Sequence, residues 1–157
     1  MKEFAFSSSS VEKTQELARC LASLLKGGEV VFLRGPIGAG KTVFVKAVAE
    51  KLGLKSSPTS ASFSLMKRYA NAHTTLFHID LFRLEKDEIF NLGFEEMLED
   101  EDAIILAEWP DPIAEMMPAD RLEMEFILKK DNERKIVLQS FGPVSDGLVE
   151  KLCQKSL

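Results

Sequence analysis

The stretch Glu29-Val30-Val31-Phe32-Leu33-Arg34-Gly35-Pro36-Ile37-Gly38-Ala39-Gly40-Lys41-Thr42 decides the fold of this chain. Its first part, residues 29–33, is a near-continuous apolar run and predicts a strand buried on both faces, the environment a parallel sheet creates. Its second part, residues 35–42, meets the pattern G-x-x-x-x-G-K-S/T at every specified position. Average composition produces that pattern by chance in about one chain of this length in two hundred. The strand before it and a helix expected from about Thr42 to Leu52 supply the context the pattern requires. The chemistry explains the residue types. Backbone N–H groups must turn inward around an anion, so side chains are absent where the loop is tightest, and the helix N-terminus adds partial positive charge there. In such a loop Lys41 reaches the β- and γ-phosphates and the Thr42 hydroxyl ligates Mg²⁺. The expected nucleotide contacts are Gly35, Pro36, Ile37, Gly38, Ala39, Gly40, Lys41, Thr42 and Val43.

On the N-terminal side, residues 2–6 predict a short edge strand. Ser9 and Glu12 fit a capping box for a helix that carries Leu17, Leu21 and Leu24 on one face and ends at Gly27-Gly28. On the C-terminal side, residues 56–60 read as a polar loop. Residues 63–69 and 75–79 read as two strands joined by a turn at Ala70-Asn71-Ala72. Residues 85–98 read as a helix interrupted by Gly93, and residues 103–107 as another buried strand. Residues 121–128 alternate, with Leu122, Met124, Phe126 and Leu128 on one side. They turn at Asp131-Asn132-Glu133 and return over residues 135–139 as a hairpin with one wet face. These elements predict an α/β fold, a P-loop NTPase-like three-layer sandwich whose mostly parallel central sheet carries antiparallel hairpin additions, in a single domain over residues 1–157.

A phosphate loop of this kind needs carboxylates for its metal, at the C-terminal ends of neighbouring strands. Asp80 closes the run Thr75-Leu76-Phe77-His78-Ile79, and Glu108 closes residues 103–107 in the same manner. Strand ends of an open α/β sheet converge on the ligand crevice, so both carboxylates are expected at the phosphates. One binds Mg²⁺, directly or through water, and the other orients the attacking water; the pattern does not say which. Asp80 reads alternatively as a cap for the segment after it. His78 shares parity with Asp80 and supports the metal site or is a hydrogen-bonded core histidine. Trp109, the sole tryptophan, packs at the loop mouth or meets the nucleotide or a partner. Arg83 offsets phosphate charge or pairs with an acid nearby. The catalytic candidates are Lys41, Asp80 and Glu108; the metal candidates are Thr42, Asp80 and Glu108.

Composition narrows the classes further. The chain has 157 residues, 45% of them hydrophobic, enough for a substantial core. No apolar stretch approaches the length of a membrane span, and the N-terminus lacks the apolar run of a secretory signal. A net charge of −5 and a pI near 5.2 argue against a protein that grips nucleic acid, DNA included, through a broad basic face. The basic clusters Lys67-Arg68, Lys129-Lys130 and Arg134-Lys135, and the acidic run over residues 95–102, read first as solvated surface. Cys20 and Cys153 stand far apart, so a disulfide framework or zinc site is not expected, a reducing cytoplasm fits, and both read as half-buried packing residues.

With these residues placed, the chain resembles the TsaE (formerly YjeE) family, the P-loop ATPases of bacterial tRNA threonylcarbamoyladenosine synthesis. Gly28-Glu29-Val30-Val31 leads into the loop. His78-Ile79-Asp80-Leu81-Phe82-Arg83-Leu84 resembles the family's H-x-D-hydrophobic-Y-R-L, with Phe82 for its tyrosine. Leu92-Gly93-Phe94-Glu95-Glu96 and Ala107-Glu108-Trp109-Pro110 follow in order. The match spans about residues 7 to 128. The family's S-P-T-F-T-L segment reads here as Ser60-Ala61-Ser62-Phe63-Ser64-Leu65, which makes Ser62 a nucleotide candidate; a gapped reading keeps Ser57-Pro58-Thr59 instead. The resemblance implies binding of ATP and Mg²⁺, weak hydrolysis alone, and action with TsaB and TsaD, which would hold the tRNA. Trp109 joins the expected nucleotide contacts.

Two other classes compete. A P-loop small-molecule kinase normally clamps its substrate with several lid arginines. The arginines here are few and scattered: Arg19, Arg34, Arg68, Arg83, Arg121 and Arg134. A regulatory GTPase is the other, since Lys129-Lys130-Asp131 resembles part of N-K-x-D. However, Leu128 occupies the asparagine position, and Asp80-Leu81-Phe82-Arg83 lacks the glycine of D-x-x-G.

Overall fold

Strand β2 (Val30–Arg34) lies near the middle of the sheet and sends alternate side chains into two separate cores. Val31 and Leu33 join Leu17, Leu21, Phe44, Val48, Leu148 and Leu152 on one face. Val30 and Phe32 join Ile79, Ile105, Met97 and Ile113 on the other. A strand with apolar residues at both parities is stable only between two covering layers, which is why a continuous run of hydrophobic residues stands here.

The structure is a computed structural model that describes residues 1–56, 65–82, 84, 88, 97 and 99–155. Around β2 are strands β1 (Glu3–Ser8), β3 (Lys55–Ser56), β4 (Met66–Ala70), β5 (Thr75–Asp80), β6 (Ile104–Glu108), β7 (Leu122–Leu128) and β8 (Arg134–Ser140). They form one sheet in the order β1-β8-β7-β2-β6-β5-β4-β3. Its centre, β7-β2-β6-β5, is parallel throughout. The β7–β8–β1 flank and the β5–β4–β3 flank are antiparallel. The expected parallel centre with hairpin additions is thus present, with additions on both edges. In the β4–β5 turn, the Asn71 side chain accepts from the N–H groups of His73 and Thr74 at 2.8 and 2.9 Å, the local chemistry asparagine supplies to turns.

Helices α1 (Val11–Ala22), α2 (Lys41–Lys51) and α3 (Pro143–Gln154) contribute to the first core. Helix α1 departs from expectation at both ends. Its cap is Ser10 rather than Ser9, with the hydroxyl accepting from Lys13 N at 3.2 Å. Glu12 then falls one position too early to close a capping box. The helix also ends at Ala22, before Gly27-Gly28. The buried Glu29 carboxylate organises that intervening turn, accepting from Lys26 N at 2.8 Å and Gly27 N at 2.9 Å.

Helix α3 has no counterpart among the sequence expectations. It starts under Asp120, whose carboxylate accepts from Val144 N at 2.7 Å and Ser145 N at 3.0 Å. Cys20 packs partly buried against the core as expected, whereas Cys153 is exposed on the outer side of α3. Lys67 and Arg68 are solvated on β4. Most of the expected helix over residues 85–98 lies outside the described residues, as do residues 95, 96 and 98 of the acidic run; Glu99, Asp100, Glu101 and Asp102 are exposed, as expected of solvated surface. Among the described residues no helix is long and apolar enough to cross a membrane.

Candidate functional site

Between β2 and α2, residues 35–40 turn the chain through positions that only glycine adopts readily. Gly35 has φ +129°, and a Cβ there would stand 2.4 Å from the Phe126 carbonyl oxygen. Gly40 caps α2 in the left-handed region at φ +103°. No side chain caps that helix, so its first-turn N–H groups keep their donors for an anion. The helix is seated by an edge-to-face contact of Phe44 with Phe126 on β7, centroids 5.8 Å apart at 82°. Such a pair contributes about 1 kcal/mol beyond the area it buries, so the loop rests on a stiff base.

Lys41 is buried and donates to the carbonyls of Gly35 at 2.7 Å and Pro36 at 2.9 Å. Its ammonium lies 4.5 Å from the centroid of the Trp109 ring. Burial pushes its pKa below the ordinary lysine value, although the nearby Glu108 and Asp80 carboxylates oppose that shift. Two of its three hydrogens are spent on the loop itself, which leaves one for an anion.

The carboxylates arrive as the strand logic requires. β5 and β6 run parallel in a register that sets Asp80 beside Glu108, both at strand ends. Buried Glu108 accepts through Oε1 from the Thr42 hydroxyl at 2.8 Å, and the same oxygen lies 2.8 Å from His78 Nε2. An ionised carboxylate only accepts, so this contact sets the hydrogen of His78 on Nε2. Asp80 Oδ1 accepts from Phe82 N at 3.1 Å, and the residue borders the same cavity.

The cavity, about 350 Å³, is lined by Ile37, Gly38, Gly40, Lys41, Thr42 and Val43 on the loop side and by Asp80, Phe82, Glu108 and Trp109 opposite. Gly35 and Pro36 form the back of the loop through their carbonyls, and the Ala39 side chain is sunk in the core. Ile37 stands exposed at the loop tip. Trp109 adopts φ +55°, uncommon for a residue of its size, and its ring lies 5.0 Å from that of Phe82. Phe82 was not singled out as a site residue from the sequence; its place two residues beyond Asp80 was the available signal. Ser62 and Arg83, and the alternative alignments around Ser57-Pro58-Thr59, lie outside the described residues.

Among the described residues no three His, Cys, Asp or Glu side chains cluster as a cage for a metal ion. Mg²⁺ does not need one, because it binds through one or two carboxylates together with substrate phosphates and water. The donor set of Thr42, Asp80 and Glu108 beside an uncapped helix N-terminus fits that ion and an attached polyphosphate.

Known proteins resemble this chain in sequence and in overall fold. Residues 8–136 match the profile of the family described as Threonylcarbamoyl adenosine biosynthesis protein TsaE. The chain is 34% identical over 152 residues to the tRNA threonylcarbamoyladenosine biosynthesis protein TsaE of Bacillus subtilis (strain 168), covering 97% of this chain and 95% of that protein. It is 37% identical over 129 residues to the protein of the same name from Aquifex aeolicus (strain VF5), covering 81% and 89%. A crystal structure of Bacillus subtilis YdiB superposes with a TM-score of 0.80 at 31% identity, covering 98% of this chain and 95% of that one.

Proposed function

This chain belongs to the TsaE family, and from that membership and the geometry around Lys41 we propose that it is a Mg-ATP-binding ATPase of the machinery that makes N6-threonylcarbamoyladenosine at position 37 of tRNA. In this reading the chain is one cytoplasmic ATPase domain. It hydrolyses ATP weakly alone, works with TsaB and TsaD, and meets tRNA through them. The threonylcarbamoyl transfer itself belongs to a partner.

The observation that carries the reading is the convergence on Glu108 of a hydroxyl from the glycine-rich loop and an imidazole from β5, with the Lys41 ammonium in the same cavity. Thr42 gives its hydrogen to Glu108, so its oxygen lone pairs remain for a metal ion. Thr42, Asp80 and Glu108 would hold that ion. Mg²⁺, when bound, draws charge from the phosphate oxygens. Lys41 neutralises charge on the leaving phosphates with its remaining hydrogen. Glu108 Oε2 forms no hydrogen bond with the described residues, which suits it to orient a water molecule and take its proton. Trp109 and Phe82 wall the cavity with apolar surface and limit bulk water there.

Titration of the protein with Mg-ATP, alone and with a TsaB–TsaD pair, tests the proposal through hydrolysis rate and co-elution. Saturable ATP binding, with faster hydrolysis or nucleotide-dependent co-elution when the pair is present, is expected. Absence of ATP binding, or indifference of both readouts to the pair, overturns it.

A further inference from the structure

Trp109 turns the chain out of β6 with a backbone that its side chain disfavours. At φ +55° it occupies the left-handed region, which a bulky residue holds only where its surroundings impose it. Its N–H donates to the Leu33 carbonyl at 3.3 Å, so the turn is pinned to β2 at one point. Two residues on, Asp111 opens a short 3-10 turn over Asp111–Ile113. Its carboxylate accepts from Nη1 of Arg34, the last residue of β2 and the neighbour of Gly35. The strand that enters the phosphate loop thus grips the opposite wall of the cavity a second time, through a side chain.

Arg34 is itself held. Its Nε donates to Glu123 Oε2 on β7 at 3.2 Å, and its guanidinium carbon lies 6.0 Å from the centre of the Phe32 ring. Arg121 Nε donates to the other oxygen of Glu123 at 2.8 Å, and its guanidinium stands 5.2 Å from the same buried ring. An exposed ion pair usually contributes little, because two long side chains must be ordered to make it. Here the sheet orders the arginine beforehand, and only the short Asp111 side chain remains to be fixed. Arg34 shares the parity of Phe32, on the face of the second core, and does not itself line the cavity.

We propose that Arg34 is a positioning residue of the ATP site: through Asp111 it holds the Trp109 turn in place, and so keeps the indole ring over the Lys41 ammonium and bulk water out of the cavity. The inference rests on the ATPase reading above. The Trp109 ring centre lies 4.5 Å from Lys41 Nζ and 5.0 Å from that of Phe82. A ring that drifts from this place withdraws its attraction from the ammonium and admits water, which weakens every charge interaction made in the transition state. Nucleotide binding depends on the loop amides, which the Arg34–Asp111 pair does not touch. Loosening the pair therefore lowers turnover rather than affinity.

Trp109 is the sole tryptophan, so intrinsic fluorescence reports its surroundings alone. Acrylamide quenching, and steady-state ATP hydrolysis with the TsaB–TsaD pair, are compared for the wild type, Arg34→Ala, Asp111→Ala and Asp111→Glu. The Asp111 side chain is 74% exposed, so Asp111→Ala keeps the test decisive should Arg34→Ala, which also strips a partner from Glu123, lower stability. Both alanine variants are expected to raise the quenching constant about twofold. They should lower kcat about two- to fivefold with KM nearly unchanged, the range through which an ion pair of this exposure shifts a local equilibrium. Asp111→Glu should recover most of both, since it keeps the carboxylate that the guanidinium binds. Unchanged quenching in Asp111→Ala overturns the positioning role and leaves the ATPase reading standing. Stronger quenching with unaltered kcat, or equal losses in Asp111→Glu and Asp111→Ala, overturns it as well. Failure of the wild type to bind ATP overturns the ATPase reading and this role with it.

Discussion

Thr42 Oγ1 donates to Glu108 Oε1 at 2.8 Å across 66 positions of sequence. That single bond joins the first turn of α2 to the end of β6, and His78 approaches the same oxygen from β5. A carboxylate buried this deeply is tolerable only when hydrogen-bonded; the register of β5 on β6 places His78 beside it, and the first turn of α2 supplies Thr42. Its orientation is therefore set before any ligand arrives.

Glu108→Ala should retain ATP binding, which depends on the loop amides and Lys41, and lose hydrolysis. The loss should be on the order of 10²–10⁴-fold, the usual contribution of a positioned base. Filter binding and phosphate release measure the two quantities separately. Normal-rate hydrolysis by Glu108→Ala in the assembled complex removes this role.

His78→Ala should lower turnover with little change in ATP affinity, because it leaves Glu108 with one fewer partner. His78→Gln should recover part of the rate, since an amide N–H can replace Nε2–H. A variant that loses stability without this split between binding and turnover identifies His78 as a packing residue only.

Lys41→Ala should reduce ATP binding below detection. ATP binding by the wild type should itself depend on pH. Burial lowers the Lys41 pKa, while a bound polyphosphate favours the ammonium. Affinity should therefore be level below the lowered pKa and fall as pH rises through it. Linkage fixes the sign for folding too: the unfolded chain binds the extra proton, so this group's contribution to stability rises with pH between its folded and unfolded pKa values. Isothermal titration across alkaline pH checks the first and urea denaturation the second.

Asp120→Ala should destabilise the chain by about 1 kcal/mol, the scale of a lost helix cap. Burial pushes the Asp120 carboxyl upward, but the N–H groups of Ser145 and Val144 and the Ser145 hydroxyl outweigh it and hold the pKa below the ordinary value. A lowered folded-state pKa means the stabilisation is complete above the unfolded pKa of about 3.9 and disappears as pH falls through the folded value. Urea denaturation should show the wild type and variant separated at neutral pH and converging at strongly acid pH.

Gly35→Ala should be worse than either of these changes. Its Cβ would meet the Phe126 carbonyl oxygen at 2.4 Å, a backbone atom held in a strand, and φ +129° adds strain. Loss of ATP binding together with a lowered melting temperature is expected; an unaffected variant contradicts the loop geometry.

Much of this protein was determined by local sequence alone. The apolar run at Val30–Arg34 encodes a strand with two covered faces, and Gly35, Gly40, Lys41 and Thr42 encode an anion-binding turn, because dihedral freedom and residue chemistry act within a few positions. Placing Asp80 and Glu108 at strand ends was equally legible, since a strand ends where its pattern does. The cap at Ser10 rather than Ser9 and the helix under Asp120 were not. Each depends on a hydrogen bond chosen among several that the sequence permits. Only the tertiary structure decided that Thr42 and His78 meet on one oxygen of Glu108, and that Arg134 reaches the Ser10 carbonyl and the Thr14 hydroxyl at the start of α1. Those contacts arise from strand order and register, which long-range packing of the two cores selects and which no short window of sequence contains.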